Sequence, residues 1–452
     1  MLPRSILTCL LLLAAIASAR PAGDAQTQAD PPALLYTVAK SYDPLAWMRG
    51  ADRFSPDVAI YLRNEKGTRP FLPEFAESAD PSVSFDGERV LFAGKVHPVD
   101  PWQVWEVPIT GGQARRVTSD AEDCIRPFYL PDDRVVYARR VAGHFVIEAA
   151  ELSGGKPLAL SYGPANFLPT DILRDGRILF EAGYPLGTAT TPEIYTVYSD
   201  GSGVESYRCD HRNAHYSGRQ ISSGDIIFAS THGLSRFTSA RAQEIPIAAP
   251  EGEYAGDVIE TASGNWLTSW RHDQKSSFQV MQWTFGTKQL QTIVTQQDVN
   301  IVQPTLLASH AVPNRHPSGL HDWPTANLLC LNAYTSKYDF APGSIGGVRL
   351  YTKDPGGNSK LLGTAAVERD GSFFVQVPSD QPLQIELLDH TGKSLKREAG
   401  YWWMRRGEQR GCVGCHAGPE TSPENAVPMI LLKSTTPADM TGTTSQFATG
   451  GR

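Results

Sequence analysis

Cys412 and Cys415 stand three residues apart and His416 follows at once, in the segment GCVGCHAG. On a helical turn, positions i, i+3 and i+4 share one face, so two thiols and one imidazole would point the same way. Such a set can add its two sulfurs to the vinyl groups of a porphyrin while the imidazole takes the iron, which is covalent c-type haem attachment. A structural zinc site would need a fourth ligand, and the sequence holds no second CxxC and no paired histidines. A redox dithiol would sit in a βαβ setting, whereas the flanks here are β-rich. One covalent haem c on Cys412, Cys415 and His416 is the expectation.

The flanks offer surroundings for it. Tyr401, Trp402, Trp403 and Met404 present flat apolar surface, and Arg405, Arg406 and Arg410 suit propionate carboxylates. The alternative is that these aromatics cap a protein core. The second axial position separates electron transfer from small-molecule chemistry, because a strong ligand closes the iron and an open site binds substrate. Met429 is the nearest candidate after the motif, with His144, His215, His232 and His316 as others from the preceding region. On an open face, Glu420 or one of those histidines would serve as the acid-base group.

The elements that must position this segment are strands. VSFDGERVLFAG, FYLPDDRVVYARR, DILRDGRILFEAG, GRQISSGDIIFAS and DVIETASGNWLTSW each read as strand, turn and strand. The turn pairs Asp86-Gly87, Asp132-Asp133, Asp175-Gly176, Ser223-Gly224 and Ser263-Gly264 tolerate positive φ and suit two-residue hairpins. Two further strands follow most copies, giving four strands per period of roughly 40 to 48 residues, the signature of propeller blades. The expected fold class is all-β: a six-bladed propeller over 34–312, with seven blades as the alternative. VQPTLLAS would close the ring against ALLYTVAK.

PNRHPSGLHDWPTA, 313–326, reads as a linker. Strands at NLLCLNAY, GVRLYTK, SFFVQVP and LQIELLD, punctuated by Asp370-Gly371 and Thr391-Gly392, then form a small β-sandwich over 327–433 that carries the CxxCH. The stretch 434–452 lacks periodicity and large apolar residues, and is expected to be a disordered tail.

Residues 1–19 read as an export signal: Arg4, an apolar run from Ile6 to Ile16, and Ala17-Ser18-Ala19 as the cleavage site. That run is too short to span a membrane, so a periplasmic or secreted chain that does not cross the membrane is expected. Of the six cysteines, Cys9 falls in the signal, and the odd number remaining argues against a pure disulfide framework. Cys124, Cys209 and Cys330 read as small buried hydrophobes. The net charge of −7 is spread without a basic run, which excludes nucleic acid as a partner. No G-x-S-x-G, H-E-x-x-H, P-loop or G-x-G-x-x-G is present.

The stretch from Cys330-Leu331-Asn332-Ala333-Tyr334, through LGTAAVERDGSFFVQVPSDQPLQIELLDHTGKSL, to RRGEQRGCVGCHAGPETSPENAVP resembles the haem-bearing middle domain of hydrazine synthase alpha-subunit-like proteins. The repeats before it fit the TolB-like propeller of that family. The resemblance implies a c-type haem on Cys412, Cys415 and His416. It also implies a tyrosine beside the catalytic haem shortly after the motif; here no tyrosine stands between His416 and Arg452, and Glu420 occupies the nearby stretch.

The function expected is a periplasmic monohaem protein that passes electrons to a redox partner protein, with the propeller as docking platform. Two other readings are a haem enzyme acting on a small nitrogen or oxygen compound, and a binding or scaffold module whose haem is structural.

Overall fold

The computed structural model describes residues 33–183, 191–207, 213–240, 242–354, 357–414 and 426–442. Residues 1–19, expected to be an export signal, together with Cys209, Cys415, His416, Glu420 and the last ten residues, lie outside the described residues.

Among the described residues, six sheets succeed one another from Leu34 to Leu306. Each packs its innermost strand against the sheet before it, and the sixth packs on Asn300–Leu306. That last strand belongs to the first sheet: it runs antiparallel to Leu34–Ala39, with Leu34 opposite Leu306 and Val38 opposite Ile301. The chain thus folds as a β-propeller whose ring is closed by its two sequence ends.

Asp132 and Asp133 both take positive φ, as expected, whereas the other four hairpins use a longer turn. In the second, fourth, fifth and sixth sheets the glycine N–H donates to the carbonyl three residues earlier: Gly87 to Ser84, Gly176 to Leu173, Gly224 to Ile221 and Gly264 to Thr261. All four glycines are left-handed, with φ between 78° and 96°. A type I turn followed by a left-handed residue matches the strand twist as well as a two-residue turn does, and it is what an Asp-Gly or Ser-Gly pair supports here. At Gly87 and Gly176 the glycine has a second reason. A side chain there would strike the backbone of Ser309 and of Asn314, because the connecting segment after the ring runs back over these turns. His310 donates its backbone N–H to Phe85, Asn314 donates to Arg174, and the His316 ring stacks on Tyr198 at 3.7 Å.

Charge is concentrated at the ring's centre. The innermost strands shift register between Ala79 and Ser82, Ile125 and Phe128, Pro169 and Asp171, and Tyr216 and Arg219. Bulges turn one side chain away from its expected face. Asp80, Arg126, Ser217, Asp257 and Gln303 all take φ between 52° and 59° on innermost strands or the segments beside them. Their side chains converge. Asp80 receives Arg53 at 2.6 Å and Gln303 Nε2 at 2.6 Å, while Arg126 and Arg219 hold Asp257 at 3.0 and 3.1 Å. Glu181 accepts the N–H of Ser217.

The remaining strands make two four-stranded sheets with a shared core of Leu328, Cys330, Val348, Leu350, Phe373, Val375 and Leu387, a β-sandwich. Gln409–Cys412, Thr325–Cys330, Phe373–Pro378 and Ala438–Asp439 form one sheet in that order; Ser359–Ala366, Gly347–Lys353, Gln384–Leu388 and Ser394–Arg397 form the other. The expectation of a disordered tail from 434 fails at its start. Ala438–Asp439 pairs parallel with Val375-Gln376, and Met440 is fully buried in the sandwich core. Two paired residues and one methionine leave no periodicity to detect.

Candidate functional site

Cys412 is the last residue of a strand, and the helical turn expected from Cys412 to His416 lies in part outside the described residues. Gln409–Cys412 is an edge strand that runs parallel to Thr325–Cys330, and in its register Cys412 lies opposite Cys330. The inward positions of the partner strand are Ala326, Leu328 and Cys330, and Cys412 packs on the same core. Both sulfurs therefore lie on the inner face. The reading of Cys330 as a small buried hydrophobe is half of its description: it is also the cross-strand neighbour of the motif's first thiol. Cys124 is buried in the propeller.

Three segments gather at the end of the sandwich where Cys412 lies. The chain turns at Gly414, where a side chain would strike the Thr335 and Asn332 carbonyls. The turn at Gly371 sits as closely on Asn332 and Ala333. The segment after the motif then docks on that same turn, with Met429 N–H donating to Asp370 Oδ2 at 2.7 Å and Ile430 N–H to Ser372 Oγ at 3.1 Å. Burial pushes the Asp370 carboxyl up, but the N–H donors of Met429 and Ser372 and the Ser372 hydroxyl outweigh it and hold the group below the usual carboxylate range. Met429–Lys433 is a single short helix with no buried residue. Val427 and Leu432 around it are 62% and 72% exposed, so this end of the sandwich carries apolar surface outside the core.

Met429, the candidate second ligand, places its sulfur 3.3 Å from Arg369 Nε. The four candidate histidines are placed elsewhere. His144 begins a strand of the third sheet, His232 is exposed in a turn of the fifth, and His316 lies on Tyr198. His215 is buried between Phe228 and Phe237, with Nε2 3.2 Å from Glu244.

Trp402 to Arg410 form a joint between the propeller and the sandwich. Trp403 is fully buried in the propeller core beside Phe167 and Phe180, and its Nε1 donates to the Gly201 carbonyl at 3.1 Å. Met404 faces the opposite way, into the sandwich core. Alternation along an extended segment sends the two side chains into two cores. Arg405 donates to the Ala159 carbonyl at 3.1 Å and lies over the Tyr162 ring. Arg410 is held by Glu408 at 2.6 Å, and Glu408 also accepts the N–H of Gly203 at 3.1 Å. Arg406 pairs with Asp322 at 2.8 Å. The arginines expected to meet propionates thus have protein partners. Trp and Arg in a row have the same composition at a joint as at a cofactor.

The charged centre of the ring is a feature that the sequence motifs do not announce. Asp80, Arg126 and Gln303 recur at the ring's repeat spacing and each is followed by proline, which is the signal that would have found them. Beside this centre a cavity of about 70 Å³ is lined by Trp47, Arg53, Lys95, Trp102 and Arg140 among others. Its cations are paired: Arg53 with Asp80 at 2.6 Å, Lys95 with Glu77 at 3.2 Å and Arg140 with Asp123 at 3.0 Å.

Residues 335–417 match the hydrazine synthase alpha subunit middle domain family. Among solved structures, hydrazine synthase from Kuenenia stuttgartiensis aligns over 89% of this chain and 71% of its own, with TM-score 0.75 and 15% identity. TolB from Acinetobacter baumannii aligns over 60% of this chain and 66% of its own, with TM-score 0.45 and 11% identity. None of the curated proteins matches this sequence.

Proposed function

From a chain that is hydrazine synthase alpha-like in its middle domain and its fold, we propose a periplasmic monohaem c-type protein that passes electrons to a redox partner protein docked on the propeller. The observation that carries this reading is the position of the CxxCH. It lies inside the matched middle domain, with Cys412 at a sandwich end that also exposes Val427 and Leu432.

The donor set fits the group. Cys412 and Cys415 would hold the porphyrin through two thioether bonds, His416 would take one axial position, and Met429 is the candidate for the other. Haem c supplies a one-electron couple when bound. The chain's own residues orient it. Asp370 and Ser372 fix the backbone of Met429 and Ile430, and Val427 and Leu432 provide apolar surface for a macrocycle to cover. Trp403 and Arg405 hold the sandwich on the propeller, which keeps the motif at a fixed distance from any docked partner. Residues 1–19 would export the chain to the compartment where such attachment occurs. Among the described residues no helix is long and apolar enough to cross a membrane.

The full chain matured in a host with c-haem attachment machinery is expected to give a low-spin spectrum that carbon monoxide leaves unchanged after reduction. A high-spin haem that binds carbon monoxide would overturn electron transfer in favour of small-molecule chemistry on an open face. Absence of covalent haem would overturn the cofactor itself.

A further inference from the structure

We propose that Cys330 and Cys412 form a disulfide in the protein before haem is attached, and that this bond protects the first thiol of the CxxCH. The proposal rests on the haem-attachment reading only for its purpose; the bond itself is a property of the sandwich.

The geometry begins with register. Cys330 and Cys412 are Cα partners on neighbouring parallel strands. Neighbouring strands lie about 4.8 Å apart, inside the span of roughly 4.4 to 6.8 Å between Cα atoms that a disulfide bridges. Their side chains leave the sheet on the same face, because both pack on the sandwich core. On either side the strands are tied at both ends of the pair: Leu331 N–H donates to the Cys412 carbonyl at 2.9 Å, and Asn327 N–H donates to the Glu408 carbonyl at 2.9 Å. Folding of the sandwich therefore brings the two thiols together whatever the conformation of the chain after Cys412. Cys124 is a different case. It is buried in the propeller, and burial pushes its thiol up to about 12, so it exchanges poorly.

The chemistry balances as thiol–disulfide exchange. Each of the two thiols gives up its proton and together they give up two electrons as the sulfur–sulfur bond forms. The acceptor is a protein or small-molecule disulfide, whose own bond breaks to two thiols. Attachment to a vinyl group needs the Cys412 thiol, so a dithiol reductant must first reverse the step, taking the disulfide itself. Cys412 is half-buried at a sheet edge, which gives such a reductant a route to one sulfur, while Cys330 is buried.

The test uses the full chain exported in a host without haem-attachment machinery. Remaining thiols are capped by alkylation at low pH, and tryptic peptides are sequenced without reduction. The peptide 316–337, which holds Cys330, is expected joined to the peptide 411–433, with a mass two hydrogens below the sum of the reduced pair. In Cys415→Ser the joined species persists as the main form, and there Cys412 is the sole cysteine of its peptide. In Cys330→Ser it disappears. The proposal is overturned if wild-type 411–433 carries an internal Cys412–Cys415 link, or if both peptides are recovered capped in Cys415→Ser after exposure to oxidised glutathione. None of these outcomes depends on whether haem ever binds, and a carbon monoxide-binding holoprotein would overturn electron transfer without touching the disulfide.

Discussion

The centre of the propeller and the end of the sandwich treat reactive groups in opposite ways. At the centre, Arg53, Arg126 and Arg219 are matched to Asp80 and Asp257, all inside the ring and all buried to within 4% exposure for Asp80, Arg126 and Asp257. At the sandwich end, a half-buried thiol, a methionine sulfur and exposed aliphatic side chains share a surface built from turns. Buried charges with full sets of partners hold one arrangement, and taking one partner away is costly. Groups on turns at the edge of a sheet lie nearer to solvent, where loops carry binding and catalytic residues more often than a packed interior does. The density of ionisable residues is therefore a poor guide in this molecule: the richest cluster is the part that fixes the ring.

Breaking that contrast begins at its strongest point. Arg126→Met leaves Asp80 and Asp257 each with one cation fewer in the ring's centre, and a loss of about 3 to 5 kcal/mol in urea unfolding is expected. An unchanged midpoint would mean that the centre is not what holds the ring.

The next effect is smaller and has a sign. Burial pushes the Glu181 carboxyl up to about 7, from an ordinary value of 4.5. Below about 4.5 the group is protonated folded and unfolded. Between about 4.5 and 7 the folded protein keeps a proton that the unfolded chain releases, so stability falls as pH rises through this window, by a contribution on the order of 3 kcal/mol. Glu181→Gln keeps an acceptor for Ser217 N–H, and subtracting its unfolding profile from that of the native protein should isolate this fall. A difference that rises with pH instead would reverse the assignment.

The smallest effect belongs to the other region. Met429 is half-buried on a short helix with no buried residue, so Met429→Ala should cost about 1 kcal/mol or less, well under a buried Met→Ala. Its consequence is spectroscopic: in the haem-loaded protein the low-spin bands give way to a spectrum sensitive to carbon monoxide. A large stability loss with an unaltered spectrum would make Met429 a structural residue and move the second ligand elsewhere.

Legibility in the sequence follows the same division. The hairpins are visible because Asp-Gly and Ser-Gly between β-branched runs state both the turn and the strands around it, and the closing strand is visible because VQPTLLAS lacks a partner of its own. The turn type is not, since a glycine at the left-handed position serves two loop lengths. The Trp402 to Arg410 run is legible as something that packs flat apolar and cationic groups, but its composition cannot say whether the other side is a porphyrin or a second domain. The charged centre is hidden for a different reason. Asp80, Arg126 and Asp257 lie far apart in the sequence, separated by whole repeats, and only closure of the ring makes them neighbours. The disorder expected for 434–452 fails at its start because two paired residues suffice once a sheet edge is available.

Closure has a cost in time. The strand that completes the first sheet lies at the far end of the ring's sequence, so the pairing of Leu34 with Leu306 is among the least local contacts in the chain, and such contacts slow folding. Until it forms, Leu34–Ala39 presents an open edge, with a run of apolar side chains that are buried in the native ring. A nascent chain shorter than residue 300 can build sheets two to five from neighbouring segments but must carry that edge uncovered. Aggregation during synthesis should therefore track the lifetime of this one strand, and a chaperone that holds the first forty residues of the ring would do more for yield than any stabilisation of the sandwich.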